Sequence, residues 1–296
     1  MSATPAVPPV AWPAGKRAAA CFTFDLDAES AVLNIDVAHA DRMSVMSHQA
    51  YGPLVGVPRL LALLARHDVR STFFVPGYTA VRYPDVVRAI VDGGHEVAHH
   101  GYLHEVLTGM TAEQEGGLVL DRGTEVLAAL TGQVPVGFRA PMWELNWHSP
   151  ELLAERGGFL YDTSLMDADH PYELRVGATG SSLVEIPVQW ALDDWEQYCY
   201  LPEISGSGLI ESPPRKAAEI WRLEFEGLRA VGGCFVLTNH PFLSGRPSRA
   251  AALEELVEHV VSCSDVWVAP LRDIALYIRG LGLSPRSVER PDPADF

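Results

Sequence analysis

The sequence predicts a single α/β barrel. Roughly seven or eight short, apolar, β-prone runs alternate with segments of helical length along the chain. No interior stretch has the composition of a linker, and polar residues follow several strands, at the edge where α/β barrels carry their sites. Residues 1–296 are therefore expected to form one domain with a core at about 18–280, a flexible Pro-rich N-terminal arm and a loosely held C-terminal tail.

The first strand is predicted at 18–24, where an apolar run ends in acidic residues, and a long polar loop is expected at 28–56. Similar runs, bounded by proline, glycine or polar residues, predict the later strands at 71–75, 96–98, 137–139, 182–188, 234–238 and 266–268. Helices are predicted between them, at 57–66, 83–92, 111–130, 149–156, 214–231, 248–262 and 271–279.

Composition excludes several classes of function. The formal net charge of −16, spread along the chain, argues against nucleic acid or an anionic membrane surface as the main partner. No window offers the ~20 consecutive apolar residues of a membrane span, and the proline-interrupted N-terminus is unlike a secretory signal. The four cysteines lie far apart, which favours reduced core thiols. We therefore expect a cytoplasmic protein, and a homo-oligomer is one assembly that such a barrel could form.

Residues 94–104 contain four of the eleven histidines of the chain. His100 and His104 are four residues apart and follow a predicted strand, so both imidazoles can face one metal ion. His95 and His99 are interpreted as scaffold residues that orient their neighbours. Two imidazoles need a further ligand, and a carboxylate would complete a site that still leaves positions open for water and substrate.

Asp25 and Asp27 supply candidate carboxylates at the end of the first strand. Residues two apart point to the same side of an extended chain, so the two side chains, with Glu29 as a third candidate, would converge. A cation beside them would relieve their repulsion, with one carboxylate as ligand and the other free to accept a proton from water. The alternative is an ordinary acidic loop or a helix cap.

Arg139 and His240 each end a predicted strand ahead of a proline. Arg139 would hold Asp25 ionised through a hydrogen-bonded ion pair, and His240 would suit a general acid. The alternatives are a surface ion pair and a structural histidine. Trp143 and Tyr102 lie near these motifs and would stack on the apolar face of a sugar or a planar heterocycle, or else belong to the core.

Five segments, taken in order, resemble the motifs of the polysaccharide deacetylase family with NodB homology, of the carbohydrate esterase type. They are Thr-Phe-Asp-x-Asp at 23–27, Gly-His-Glu-x-x-x-His-x-x-x-His at 94–104, Arg-x-Pro at 139–141, Asp-Asp-Trp at 193–195 and Leu-x-x-His at 237–240. The resemblance covers about residues 20–241 and implies a distorted (β/α) barrel of about seven strands with metal-dependent deacetylation.

The resemblance also implies roles for individual residues. Asp27, His100 and His104 would be the metal ligands. Asp25 would be the general base and Arg139 the residue that orients it. His240 would be the general acid, Asp194 would hold it in place, and Trp195 would line the cleft. Zinc suits two imidazoles and a carboxylate, although cobalt, manganese, nickel or iron could occupy the same ligands.

The first two motifs depart from the usual family pattern. Leu26 separates aspartates that are commonly adjacent, and His99 stands where asparagine is common. This form looks like a cytoplasmic subgroup that contains peptidoglycan-deacetylase-like proteins and ring-opening amidohydrolases of the allantoinase and cyclic imidase kind.

Three functions follow from this interpretation. The first is hydrolysis of a carbon–nitrogen bond by metal-activated water, removing acetate from an N-acetylated sugar or polysaccharide. The second is hydrolysis of a small cyclic amide, imide or ureide. The third is sugar binding without catalysis, which the presence of both a candidate base and a candidate acid argues against.

Overall fold

The computed structural model describes residues 10–156, 158–177, 180–201 and 213–292. Within them the strands are β1 (Ala18–Asp25), β2 (Thr72–Val75), β3 (Glu96–His99), β4 (Gly137–Phe138), β5 (Tyr161–Asp162), β6 (Tyr172–Val176), β7 (Ser181–Glu185), β8 (Cys234–Asn239) and β9 (Val266–Val268). They form one continuous sheet in the order β6-β7-β5-β4-β3-β2-β1-β8, and β9 pairs with β1.

Helices separate most of the strands. They are α1 (Ser30–Leu33), α2 (Met43–Tyr51), α3 (Val57–Arg66), α4 (Gly77–Arg82), α5 (Pro84–Asp92), α6 (Ala112–Gln114), α7 (Arg122–Thr131), α8 (Ser149–Glu155), α9 (Trp195–Tyr198), α10 (Pro214–Val231), α11 (Pro241–Ser244), α12 (Pro247–Ser262) and α13 (Leu271–Gly280). Two π-helical segments, Gly52–Gly56 and Glu115–Asp121, connect α2 to α3 and α6 to α7. Short 3₁₀ turns lie at Val37–Asp41, Pro141–Trp143 and Trp190–Leu192.

The sheet is curved into a distorted barrel, as predicted. Its pairings are parallel except for β6, which runs antiparallel to β7 at the edge. Ala20 pairs with Phe235 of β8 on one side and Val268 of β9 on the other. The outer edge of β8 is joined to the segment after β7 by a bridge between Thr238 and Asp193. This bridge lies at the carboxyl ends of the strands and draws residues 193–195 towards the end of β8.

Alternation along β1 separates the barrel interior from the surrounding helices. Ala20, Phe22 and Phe24 pack in the cluster that includes apolar residues of α3, α5, α10 and α12. Ala19 and Cys21 belong to a different cluster with side chains of β2, β3, β7 and β8. Because side chains alternate in a strand, Asp25 follows Ala19 and Cys21 on the interior side, at the carboxyl end of the barrel.

The prediction of a loop at 28–56 is wrong. Most of this segment is helical, through α1, the turn at Val37–Asp41, α2 and the π-helical segment Gly52–Gly56. The turn begins at Asp36, whose side chain accepts a hydrogen bond from the Ala38 backbone N–H. Gly52 and Gly56 pack closely against Phe242 and Pro241. Tertiary packing on α11 therefore stabilises helices that the local sequence pattern does not predict.

The edge strand β6 is absent from the predicted elements. Its sequence Tyr-Glu-Leu-Arg-Val alternates apolar and polar residues, and Arg175 is exposed while Leu174 is buried. The helix predicted at 111–130 is interrupted by the π-helical segment, which contains Gly116 and Gly117.

The described part of the Pro-rich arm is packed on the barrel. Trp12 is buried, stacks on Tyr277 and donates an indole hydrogen bond to the Gly232 carbonyl oxygen. In the C-terminal tail, the Arg286 guanidinium lies over the Tyr172 ring. Residues 1–9 and 293–296 lie outside the described residues. The four cysteines are free, and no helix in the described part of the chain is long and apolar enough to cross a membrane.

Candidate metal centre and active site

Residues of four of the five motifs line one cavity of about 130 Å³, and Arg139 of the remaining motif contacts the lining residue Asp25. The cavity opens where β1, β3, β4 and β8 end, so each strand delivers its following residues to the same place. Its lining combines acids and imidazoles with aromatic and apolar side chains: Asp25, Asp27, His100, His104, Met142, Trp143, Trp190, Asp193, Trp195, Glu196 and His240.

Asp27, His100 and His104 form a buried group with the geometry of a metal site. The Asp27 carboxylate oxygens lie 3.4 Å from His100 Nε2 and 3.6 Å from His104 Nε2. One potential ligand atom from each residue falls within a 4.8 Å cluster. Both Asp27 oxygens are buried without a hydrogen-bond partner, which is costly for a carboxylate unless a cation lies beside it. The donor set therefore fits a divalent ion.

The charges around Asp27 favour its ionised form. Burial alone would raise the Asp27 pKa, but His104, His240 and His100 outweigh it and hold the pKa well below its usual range. Burial lowers the pKa of His104 to about 4, so its imidazole is neutral near pH 7. An ionised carboxylate beside a neutral imidazole is the protonation state that metal ligands require.

The backbone aims these ligands by hydrogen bonds and by unusual conformations. His100 Nδ1 lies 2.8 Å from the Arg139 carbonyl oxygen, which fixes the ring and leaves Nε2 facing Asp27. The Asp27 carbonyl oxygen accepts hydrogen bonds from the hydroxyls of Ser30 and Thr79. Ala28 and His104 have φ values of 49° and 59°. Left-handed backbone at non-glycine residues costs free energy and is typical of functional sites.

Asp25 is held by Arg139. The Arg139 Nη1 donates to Asp25 Oδ1 at 2.6 Å and to the Thr23 hydroxyl at 3.0 Å, and both members of the ion pair are buried. The guanidinium also lies 4.1 Å from the centre of the Phe74 ring. Asp25 Oδ2 lies 3.8 Å from His100 Nε2. One Asp25 oxygen is therefore occupied by the arginine while the other faces the candidate ligands.

Asp194 fixes the orientation of His240 through hydrogen bonds. Asp194 Oδ1 lies 2.7 Å from His240 Nδ1 and accepts from the His240 backbone N–H at 2.9 Å. Asp194 Oδ2 accepts from the backbone N–H and the hydroxyl of Ser244. His240 Nε2 faces the cavity, 3.4 Å from Asp27 Oδ2. Burial alone would lower the His240 pKa, but Asp193, Asp194 and Asp27 reverse this and raise it well above its ordinary value.

Three tryptophans line the cavity beside these groups. Trp143 stacks on Trp190 with ring centres 4.7 Å apart, and Trp195 contacts the His240 ring edge-on. Met142 and Trp143 both have positive φ, at 59° and 54°, directly after Pro141. The strained turn places Trp143 in the cavity lining instead of in a continuing strand.

Comparisons with known proteins agree with this geometry. The polysaccharide deacetylase profile matches residues 45–157. The peptidoglycan deacetylase of Helicobacter pylori is 33% identical over 279 residues, which span 86% of this chain and 94% of that protein. The chain belongs to the polysaccharide deacetylase family. The resemblance inferred from the five motifs is thereby confirmed.

Two solved structures place the chain within this family more closely. A Mycobacterium smegmatis protein, whose polysaccharide deacetylase name is provisional, is 59% identical with a TM-score of 0.94 and covers 97% of this chain and 99% of its own. The PuuE allantoinase is 27% identical with a TM-score of 0.80, covering 94% of this chain and 95% of its own. The fold is therefore shared with a protein named as an allantoinase.

Most residues predicted from the motifs are brought together, but Tyr102 is not. Its ring lies under the Arg122 guanidinium, at 3.5 Å, and close to Gly77, so it is absent from the described cavity lining. Gly101, with a φ of 75°, turns the chain in this direction. The prediction that Tyr102 contacts substrate has no support from this geometry.

His95 and His99 occupy scaffold positions, as interpreted from the sequence. His99 is fully buried, accepts a hydrogen bond from the Gly101 backbone N–H and packs against Phe138. His95 Nδ1 accepts from the Ser71 backbone N–H. Both hold the ends of β3, and neither faces the cavity.

Sequence reasoning did not assign a role to four lining residues: Met142, Trp190, Asp193 and Glu196. Glu196 Oε2 is buried without a hydrogen-bond partner, and burial raises the pKa of this carboxyl group. The only sequence signal was proximity to the Asp-Asp-Trp motif, because Glu196 directly follows Trp195. The one-turn helix α9 contains Glu196, which lines the cavity.

Proposed function

We propose that the chain is a metal-dependent hydrolase of amide carbon–nitrogen bonds that removes acetate from an N-acetylated sugar. The observation that carries this proposal is the meeting of a candidate base, a candidate acid and a candidate metal site at one cavity. A protein that only binds sugar has no need of these three groups together.

Asp27, His100 and His104 would hold the ion, which we propose to be zinc. Two imidazoles and one carboxylate suit this metal, although cobalt, manganese, nickel or iron would accept the same donors. A divalent ion there would supply Lewis-acid activation of water and of the amide carbonyl. The protein contribution is the fixed ligand set, in which His100 is oriented by the Arg139 carbonyl oxygen.

Asp25 would act as the general base. Its free oxygen Oδ2 faces the ligand imidazoles, while Oδ1 is bound by the Arg139 guanidinium. The ion pair fixes the direction of the free Asp25 oxygen. Asp25 would take a proton from the attacking water.

His240 would act as the general acid on the leaving amine. Its Nδ1 is engaged by Asp194, so the proton to be donated resides on Nε2, which faces the cavity. Asp194 stabilises the protonated ring whichever cation lies beside Asp27, because this hydrogen bond is on the opposite ring nitrogen. Trp195 packs against the His240 ring and would restrict access of bulk water.

The side chains of the cavity walls support an N-acetylated sugar as the substrate. Trp143, Trp190 and Trp195 offer aromatic faces to the apolar face of a pyranose ring, and Asp193 and Glu196 offer acceptors for hydroxyl groups. The peptidoglycan name of the Helicobacter pylori relative supports a sugar substrate.

Acetate release tests this proposal. Zinc-loaded protein is incubated with N-acetylglucosamine, its oligomers and peptidoglycan fragments, and acetate and free amine are measured. Asp25→Asn is expected to lower kcat by about 10²-fold or more while zinc binding persists. Asp265→Asn is the matched control, because Asp265 also pairs with an arginine, Arg229, but lies on the surface. Absence of acetate from every substrate would refute the deacetylase assignment.

A second candidate is hydrolysis of a cyclic amide, imide or ureide. The similarity to an allantoinase structure and the small cavity walled by stacked tryptophans favour it. The same base, acid and ligands would open the ring. Ring-opening of hydantoins and ureides by the zinc-loaded protein, lost in His104→Ala, would select this candidate over the first.

The expected cytoplasmic location and a homo-oligomeric state stay predictions. Fractionation of cells that produce the chain and light scattering of the purified protein test them.

A further inference from the structure

The structure contains a pair of buried carboxyl groups outside the cavity. Asp162 ends β5 and Glu185 ends β7, and the two residues are register partners across these strands. Both are fully buried. The Ser164 backbone N–H lies 3.0 Å from Asp162 Oδ2 and 3.3 Å from Glu185 Oε1, so one donor is shared by both side chains.

We propose that Asp162 and Glu185 share a proton and together position the turn at 139–141. Through contacts of Arg139 in this turn, the pair would also position Asp25 and His100. The pair does not belong to any of the five motifs, and its residues do not line the cavity. They are positioning residues for the reaction given under the proposed function, on which this inference rests.

The surroundings of the pair favour a shared proton. Both groups receive backbone hydrogen bonds and share a side-chain hydrogen bond, but neither pairs with a cationic side chain within the described residues. Two adjacent carboxylates in a dry interior cannot both ionise without a large cost. Accordingly, burial raises the pKa of Asp162 to about 6 and that of Glu185 well above its ordinary value.

The titratable neighbours do not supply a compensating cation. Tyr172 of β6 is the register partner of Glu185, and its hydroxyl donates to Asp167. The Arg286 guanidinium lies over the Tyr172 ring and pairs with Asp167. Arg139 follows β4, and its Nε lies 3.4 Å from the Thr163 carbonyl oxygen while its Nη1 donates to Asp25.

Ser164 connects the pair to the active site. Its hydroxyl donates to Asp162 Oδ1 at 2.9 Å and accepts from the Ala140 backbone N–H at 2.9 Å. The Leu165 backbone N–H donates to Glu185 Oε1 at 3.0 Å, which fixes the next residue as well. The pair therefore fixes the Ser164 hydroxyl and the backbone N–H groups of Ser164 and Leu165 next to the turn at 139–141.

Arg139, in this turn, contacts two functional groups. Its guanidinium binds Asp25, and its carbonyl oxygen accepts from His100 Nδ1. A shift of this turn would move the candidate base and one candidate ligand together. Removing the direct hydrogen-bond partner of a ligand imidazole typically changes metal affinity or activity by about 10–100-fold, and the Arg139 carbonyl oxygen is such a partner of His100.

The test compares four proteins: wild type, Glu185→Gln, Ser164→Ala and Glu96→Gln. In Glu185→Gln the amide oxygen accepts from Ser164 and Leu165 and the amide N–H replaces the shared proton, so zinc affinity and kcat are expected to be retained. Ser164→Ala removes the hydroxyl that connects the pair to Ala140 without changing charge. It is expected to weaken zinc binding and lower kcat by about tenfold, the lower end of the range for direct partners of a ligand, because Ser164 contacts the residue next to such a partner. Glu96 is the matched buried carboxyl, whose hydrogen bonds go to Thr72, Tyr161 and Arg272.

The shared proton has its own readout in unfolding experiments. The folded pair keeps a proton that the unfolded chain releases above an ordinary glutamate pKa of about 4.3. Stability of the wild type should therefore fall relative to Glu185→Gln as the pH rises above this value. Glu96→Gln should show a related pH effect, since burial also raises the Glu96 pKa, but unchanged zinc affinity and kcat.

Two results would overturn the inference. One is an equal pH dependence of unfolding for the wild type and Glu185→Gln, which would mean that no proton is shared. The other is unchanged zinc affinity in Ser164→Ala. Both measurements need no substrate, so they stand apart from the proposed function, whose failure would appear as wild-type protein that binds zinc but releases no acetate.

Discussion

Replacing Asp194 by asparagine is the perturbation that most directly examines the role of His240. Asp194 is fully buried and accepts four hydrogen bonds, two from His240 and two from Ser244. An asparagine oxygen can keep the two bonds to His240. Its NH₂ group then faces the Ser244 backbone N–H, which also donates, so that donor loses its acceptor.

The size of the effect follows from this count. A buried N–H without an acceptor costs about 1–3 kcal/mol, and a neutral amide is a weaker acceptor than a carboxylate. We expect a decrease of about 2–4 kcal/mol in the free energy of unfolding. We also expect kcat to fall by about 10²-fold or more, because a general acid typically contributes 10²–10⁴-fold.

The pH profile gives the sign of the electrostatic effect. Asp194 is among the groups that raise the His240 pKa in the folded protein. A general acid works only while protonated, so activity should decline as the pH rises through the His240 pKa. In Asp194→Asn the pKa should fall, and the alkaline limb of the kcat profile should move to lower pH.

Ser244→Ala is the matched control for this experiment. It removes the hydroxyl that Asp194 Oδ2 accepts but keeps the carboxylate and both bonds to His240. Ser244→Ala should lower the free energy of unfolding by about 1 kcal/mol and leave the alkaline limb of the kcat–pH profile at the same pH. If Asp194→Asn and Ser244→Ala gave the same kcat and the same limb, the assignment of His240 as an acid tethered by Asp194 would be wrong.

Three further changes test other parts of the structure. Asp27→Asn should weaken zinc affinity by more than about 100-fold in a chelator competition, since even outer partners of a metal cost about 10–100-fold. Gly56→Ala should cost about 1–3 kcal/mol in urea unfolding and lower kcat, because its Cβ would lie 2.1 Å from the Pro241 carbonyl oxygen, next to His240. Burial lowers the His95 pKa from 6.5 to about 4, so wild-type stability should fall as the pH drops through this interval and His95→Asn should remove part of that loss.

Each of these changes has a control or a contradicting outcome. Glu226, His259 and Cys263 form a second group of possible metal ligands. As the control for Asp27→Asn, Glu226→Gln changes this second group and should leave the affinity of the tight zinc site unchanged. Gly117→Ala is the control for Gly56→Ala, since an added Cβ at Gly117 meets nothing within 4 Å. Identical acid unfolding curves for wild type and His95→Asn would show that His95 is not neutral in the folded protein below pH 6.5.

The candidate site was predictable to the extent that it lies in short, ordered motifs at strand ends. His100, His104, Asp25 and Asp27 follow strands whose apolar runs are visible in the sequence. Carboxyl ends of parallel strands meet at one edge, so proximity of these residues follows from the fold class alone. Tyr102 shows the limit of this reasoning, because a left-handed turn at Gly101 directs its ring to Gly77.

The amino-acid sequence by itself determined the alternation of strands and helices, the family and the residues that carry chemistry. These depend on local periodicity and on side-chain types at fixed spacing, which a linear chain displays. Tertiary structure alone decided the helices within 28–56, the edge strand β6, the inward placement of Glu196 and the pairing of Asp162 with Glu185. The physical reason is that each depends on contacts between segments far apart in the chain, where burial changes the cost of a charge or of an unpaired backbone group.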